Sequence, residues 1–322
     1  MTLTFNLKMK AATIALLLCI PFSSISAKTI KLGIDLWPGY YPAIIAAQKG
    51  FFAKHQLDVE VIIPENTDTM LSQFNNQKID AVCVAAGDII LIASETRAAK
   101  IVMITDLSAG GDAIVSANNW NNKKHLTIGT NLGGFGEIFV RQFLKDYHIK
   151  TSSVNIIDID ASEAPELIRS QKLDLAHTWE PYVSQAKSLG GRIVYTSWQT
   201  PGLIPDVLAF HREFIEKHPD KVTAFINAWF AATNWWVNNL EEGNAIIQNY
   251  LNTTDEISLS GIKLMLRADN LNSFNDSKAP RNIVKVVQRY IDFYTEKGLL
   301  KHSISPKEIL SSEFLNPPSS TK

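Results

Sequence analysis

From Thr29 onward the chain alternates between two spacings of apolar residues. Short runs with an apolar residue at every second position, or at every position, are followed by longer runs spaced at three and four. KTIKLGI (28–34) predicts a strand, PAIIAAQKG (42–50) a helix closed by Gly50, and LDVEVII (57–63) a second strand. TDTMLSQFNNQ (67–77) predicts a helix capped by Thr67 or Asp68. IDAVCVA (79–85) follows as a buried strand, GDIILIASETRAA (87–99) as a helix, and KIVMITDL (100–107) and DAIVSA (112–117) as strands. Such alternation implies βαβ units and a largely parallel sheet.

A polar, Asn-rich run, ANNWNNKKH (117–125), interrupts the pattern. A second α/β unit then starts: strands HLTIGT, SVNIIDI, LDLAHT and RIVYTS alternate with helices GEIFVRQFLKDYH, SEAPELIRSQ and EPYVSQAKSLG. SWQTPGLIPD (197–206) interrupts again and leads into the strand VLAF, after which the chain is mostly helical. DKVTAFINAWFAATNWWVNNL and NIVKVVQRYIDFYTEKG carry apolar residues at helical spacing, so Trp229, Trp235 and Trp236 read as core. Two interruptions around one unit predict two lobes: residues 28–116 with 207–322, and residues 117–206. The two crossovers, near 116–121 and 199–207, would lie side by side as a hinge.

The first 27 residues have another character. Lys8 and Lys10 precede the ten-residue apolar run AATIALLLCI and then PFSSISA, the layout of a cleavable secretory signal with cleavage expected after Ala27. The run falls short of the ~20 residues that span a bilayer. A periplasmic location follows as an expectation. The formal net charge of −1 becomes slightly more negative without those two lysines, and no basic face argues for nucleic acid or an anionic membrane. Cys83 alone would survive cleavage, in an apolar run that suits packing.

Ligands of open parallel sheets sit beyond the carboxyl ends of the strands. In this chain those ends carry DLWPGYY (35–41), Gly87–Asp88, SAGGD (108–112), TNLGGFGE (130–137), WEP (179–181) and SWQTPG (197–202). Aromatics and carboxylates gather there. Trp37 is expected to line a cleft, whereas Tyr40 and Tyr41 either join it or pack on the following helix. The glycines before Glu137 suit either a ligand cradle or a plain strand-to-helix turn, and they lack the P-loop and G-x-G-x-x-G spacings. Seven scattered histidines show no metal spacing, and no G-x-S-x-G nucleophile elbow is present. His177 reads as a structural histidine.

Taken together, GIDLWPGYYPAIIAAQKGFFAKHQLDVEVI, QKIDAVCVAAGD, SAGGDAIVS, DLAHTWEPYV and PGLIPDVLAF give the chain a family likeness. It resembles the solute-binding proteins of ABC importers, in the group that takes nitrate, aliphatic sulfonates, taurine and thiamine precursors. The resemblance implies the α/β, two-lobed periplasmic-binding-protein fold of type II, each lobe a mainly parallel sheet flanked by helices. It implies a monomer without cofactor, metal or catalytic residues, delivering a small solute to an inner-membrane permease. Asp35, Trp37, Tyr40, Asp88 and Asp112 would form one wall, Gly134, Phe135, Trp179 and Glu180 the other, with Asp206 at the second hinge. So many acids argue for a ligand with an amino or cationic nitrogen, because an unpaired buried carboxylate is costly. A sensory module for a membrane partner, or an enzyme like the related pyrimidine synthase, are the alternative readings. The enzyme would call for a cysteine-rich motif, which this chain lacks.

Overall fold

The computed structural model describes residues 28–117, 120–279 and 281–316. The expected leader, residues 1–27, lies outside that range. Eleven described strands form two sheets. The first contains β1 (Ile30–Gly33), β2 (Val59–Ile62), β3 (Ala81–Ala85), β4 (Ala99–Ser108), β10 (Pro205–His211) and β11 (Ile262–Leu264), in the order β11-β4-β10-β3-β1-β2. The second contains β5 (Asp112–Ser116), β6 (Leu126–Thr130), β7 (Val154–Asp158), β8 (Leu175–Trp179) and β9 (Arg192–Thr196), in the order β7-β6-β8-β5-β9.

In both sheets most strands point the same way, but β10 and the edge strand β11 oppose the rest of the first sheet and β5 opposes the rest of the second. β1 runs parallel to β2 and β3, while β10 lies antiparallel between β3 and β4. In the second sheet β6 is parallel to β7 and β8, and β5 is antiparallel to β8 and β9. The strand sequences explain their places. β3, AVCVA, is buried at every position, as a central strand covered on both faces must be, whereas the edge strand β2 is only half-buried.

The inserted β5 moves a boundary. Residues 112–116 belong to the second sheet, so the chain crosses at Ala109–Gly111 and not after Ser116 as the sequence suggests. Gly110 (φ +109°) makes that short passage possible, because a left-handed backbone costs glycine little. The Asn-rich run therefore connects β5 to β6 within the second lobe. The return passage is Ser197–Ile204, between β9 and β10. The two passages touch: Ser108 and Ser197 share a hydroxyl hydrogen bond of 2.8 Å, and the Gly110 N–H donates to Ser197 Oγ at 2.6 Å.

Helices cover the faces. Trp229 and Trp236, on the helix Pro219–Asn238, are fully buried against the first lobe, while Trp235 is half-buried. The helix Thr67–Asn75 is capped by Asn66, whose side chain accepts from the Thr69 N–H at 2.8 Å, one residue before the expected cap. The C-terminal helix Ile283–Glu296 packs on the first lobe and also reaches the second-lobe helix Phe135–Asp146. There Lys297 Nζ and Arg141 both lie 2.8 Å from Glu137 Oε1.

Candidate functional site

Parallel strands bring their carboxyl ends to one edge, and the antiparallel β10 brings its amino end to the same place. In the first lobe that edge collects Asp35 after β1, Asp88 after β3, Asp106 near the end of β4 and Asp206 at the start of β10. Asp106 and Asp206 are direct register partners. The second lobe contributes Asp112 at the start of β5, which is paired with Trp179 at the end of β8. Between the lobes lies a cleft of about 780 Å³.

The aromatic turn is organised by hydrogen bonds to these acids. The Trp37 N–H donates to Asp35 Oδ1 at 2.9 Å, which fixes the turn before Pro38–Tyr40 winds into a short 3₁₀ segment. Pro42, which supplies no N–H, then opens the helix Pro42–Gln48. So held, the Trp37 indole N–H donates to Asp106 Oδ1 at 3.0 Å and the Tyr40 hydroxyl to Asp206 Oδ1 at 2.6 Å. Gly39 must be glycine at this point, since a Cβ there would sit 1.9 Å from Asp106 Oδ2. Tyr41 takes the other course: its hydroxyl donates to the Leu36 carbonyl at 2.7 Å, and its ring stays in the local core.

Burial dominates the electrostatics. Desolvation pushes the Asp35 carboxyl up to about 6 despite hydrogen bonds from the Trp37 N–H and Thr67. Asp88 rises to about 7, again through burial and then through the charges of Asp35 and Asp68. No protein donor reaches the Asp88 carboxyl among the described residues. Burial also raises both Asp106 and Asp206, although Trp37 and Thr105 donate to the first and Tyr40 to the second.

The second wall is aromatic and polar. Phe135 lies 5.5 Å from Trp179 between ring centroids, and both rings pack around His177. His177 is buried, with Nε2 3.0 Å from Asp112 Oδ1 and Nδ1 3.2 Å from Thr130 Oγ1. It is a partnered structural histidine that holds Asp112 in place.

Nine of the ten residues singled out in the sequence line this cleft: Asp35, Trp37, Tyr40, Asp88, Asp112, Phe135, Trp179, Glu180 and Asp206. Gly134 does not. It packs against the Asn131 side chain, which lines the cleft instead and accepts from the Gly136 N–H at 3.0 Å. Glu137 also faces away, into its ion pairs with Lys297 and Arg141. Sequence reasoning missed Glu65 and Asp68 after β2, Asp158 at the end of β7 and Asp160 just beyond it, all on the cleft wall. The strand-end rule that found the others applies equally to those two strands. It missed Asp106 as well, whose signal is an acid inside the otherwise apolar run KIVMITDL.

The NMT1-like family matches residues 24–249, well over half of the sequence. The chain belongs to the NMT1-like family. Among relatives of this NMT1-like protein, one from Brucella abortus (strain 2308), described as a binding protein, is 23% identical over 303 residues, 87% of this chain and 88% of that one. The periplasmic aliphatic sulphonate binding protein SsuA of Escherichia coli superposes with a TM-score of 0.73 at 13% identity, over 89% of this chain and 93% of that one. The periplasmic nitrate-binding protein NrtA of Synechocystis PCC 6803 gives 0.66 at 16% identity, over 90% and 87%. The NMT1-like protein thus has the periplasmic-binding-protein fold expected from its sequence, and its cleft lies between the two lobes of that fold.

Proposed function

We propose that this protein captures a small solute bearing a cationic nitrogen and delivers it to an ABC permease in the inner membrane. It would act from the periplasm, as a monomer, with the two lobes closing about the passages at 109–111 and 197–204. The binding role is supported by its relatives and structural neighbours, which are described as binding proteins.

The observation that carries the ligand class is the sign of the wall. Nine carboxylates line the cleft, and no Lys, Arg or His does so among the described residues. A free anion such as nitrate or an alkanesulfonate would meet no cationic side chain among the described lining residues and would be repelled by each ionised carboxylate, at a cost of order 4 kcal/mol per close pair near a protein surface. A cation gains the same term with the opposite sign. The faces of Trp37, Tyr40, Phe135 and Trp179 add about 0.5–2 kcal/mol each where a cation lies over them. A zwitterion such as taurine, an aminopyrimidine or a polyamine meets these conditions.

A thermal-shift screen separates the classes. Taurine, simple alkanesulfonates, nitrate, polyamines and aminopyrimidines are tested side by side. The reading expects stabilisation by one or more of the nitrogen-bearing compounds. Stabilisation by nitrate or simple alkanesulfonates alone would overturn it.

A further inference from the structure

We propose that the buried pair Asp106–Asp206 exchanges a proton for the ligand's positive charge, so that solute capture expels a proton from behind the cleft wall. This rests on the reading of the cleft as a cation site.

The argument begins with what surrounds the pair. Asp106 and Asp206 face each other across β4 and β10, and both are buried. As register partners on adjacent antiparallel strands they lie side by side, and the charge of Asp106 is, after burial, what raises Asp206 most. Their other partners are neutral: the Trp37 indole and the Thr105 hydroxyl on Asp106, and the Tyr40 hydroxyl on Asp206. Two carboxylates this close in a buried place cannot both ionise without a counter-charge.

Among the described residues, no neighbouring element supplies that counter-charge. The turn after β1 brings Asp35 as well as Trp37 and Tyr40, and β3 brings the buried thiol of Cys83. Asp112 approaches from the start of β5, with His177 on its far side, and Tyr290 from the C-terminal helix. Asp88 stands on the helix after β3. On β11, Leu264 is the register partner of Asp106, and the one cation of that strand, Lys263, is paired with Asp269 at 2.8 Å. Before a cation binds, protons are then what balance the charge of the pair.

Asp206 borders the cleft, whereas Asp106 does not. A cation against Asp206 would stabilise its ionised form and, less strongly, that of Asp106 beside it. The pair then loses its proton to solvent. Asp106 becomes a determinant of charge selectivity although the solute never touches it, and acid would oppose loading. With one proton exchanged, affinity rises roughly tenfold per pH unit below the pair's pKa.

The test is calorimetric titration of the full chain at pH 6 in two buffers of different ionisation enthalpy, using spermidine, putrescine and an aminopyrimidine as probes. The difference in heat gives the number of protons released. The proposal expects about one proton per bound probe, and an affinity that climbs between pH 5.5 and 7.5. In Asp206→Asn, where an amide replaces the protonated carboxyl, the release should fall to less than half and the pH slope should flatten. Asp106→Asn gives a second, independent variant with the same expectation. A probe that binds without releasing a proton overturns the exchange and leaves the cation reading standing. Equal release from wild type and both variants would assign the proton elsewhere and overturn the role of the pair. If none of the three cations binds, the exchange falls together with the cation reading.

Discussion

The Trp37 indole N–H and the Asp106 carboxylate meet at 3.0 Å, across 69 residues of sequence and between two elements of the first lobe. That bond links the aromatic turn after β1 to the buried end of β4. It explains why large rings occupy a turn otherwise made of Gly, Pro and Asp: one edge of Trp37 satisfies a buried acid while the ring borders the cleft.

Trp37→Phe should therefore do more than trim a ring. The phenyl group fills much of the same space but leaves Asp106 Oδ1 without its donor. An unsatisfied buried acceptor costs about 1–3 kcal/mol, more for a charged one. Chemical denaturation should show a loss in that range, and ligand affinity should fall at least tenfold. Unchanged values for both would show that the indole bond is idle.

Gly39→Ala tests the closeness of that packing. A Cβ would land 1.9 Å from Asp106 Oδ2, so the turn or the carboxylate must move. Binding should be lost or severely weakened in a protein that still folds. Gly190→Ala is a control for strain alone: its backbone is also left-handed (φ +93°), but nothing lies within 4 Å of the added carbon. That variant should bind normally, with only a modest loss of stability.

The empty protein should lose stability as pH rises. Asp35 and Asp88 have carboxyls raised by burial from 3.8 to about 6 and about 7. A raised carboxyl stabilises the fold fully below its unfolded value near 4, and that contribution fades as pH climbs through the folded value. Each pKa unit corresponds to about 1.4 kcal/mol. The melting temperature of the ligand-free protein should fall between pH 5 and 8, and Asp88→Asn should flatten the fall. Glu137 works in the opposite sense. Burial would raise it, but Lys297, the Gly133 N–H and Arg141 together hold it below its usual value, so its contribution is present above the ordinary 4.5 and is lost as pH falls below it. A melting temperature that rises steadily from pH 5 to 8 would contradict the placement of the acids.

The ion pair between Lys297 and Glu137 ties the end of the C-terminal helix to the second lobe at 2.8 Å. Lys297→Met leaves Glu137 with Arg141 and the Gly133 N–H, so the expected loss is about 1–2 kcal/mol. Because the contact spans both lobes, the variant should also change the apparent ligand affinity. A shift in stability with no change in affinity would mean that the pair is indifferent to lobe opening.

Much of this was legible in the sequence because it depended on local period. Runs such as IDAVCVA and LDLAHT read as strands from their short apolar spacing, and their order implied two α/β units. The acids and rings at strand ends followed from the same pattern. Pairing across the chain was less visible. β5 reads like a continuation of the first sheet, and only its hydrogen bonds to β8 and β9 place it in the second. Asp106 was hidden for a similar reason: within KIVMITDL it resembles a strand-end polar residue, and its meaning depends on Trp37, Gly39 and Asp206 arriving from elsewhere. Gly134 shows the reverse, a glycine in a suggestive loop whose freedom is spent on packing against Asn131.

The most direct measurement is the charge of what the protein carries. Native mass spectrometry of the protein purified from the cells that make it, followed by release and identification of the bound molecule, reads this without a choice of probe. The account predicts a small molecule with at least one nitrogen that is positively charged at neutral pH, lost on Asp206→Ala. Recovery of a simple anion such as nitrate or an alkanesulfonate would contradict it.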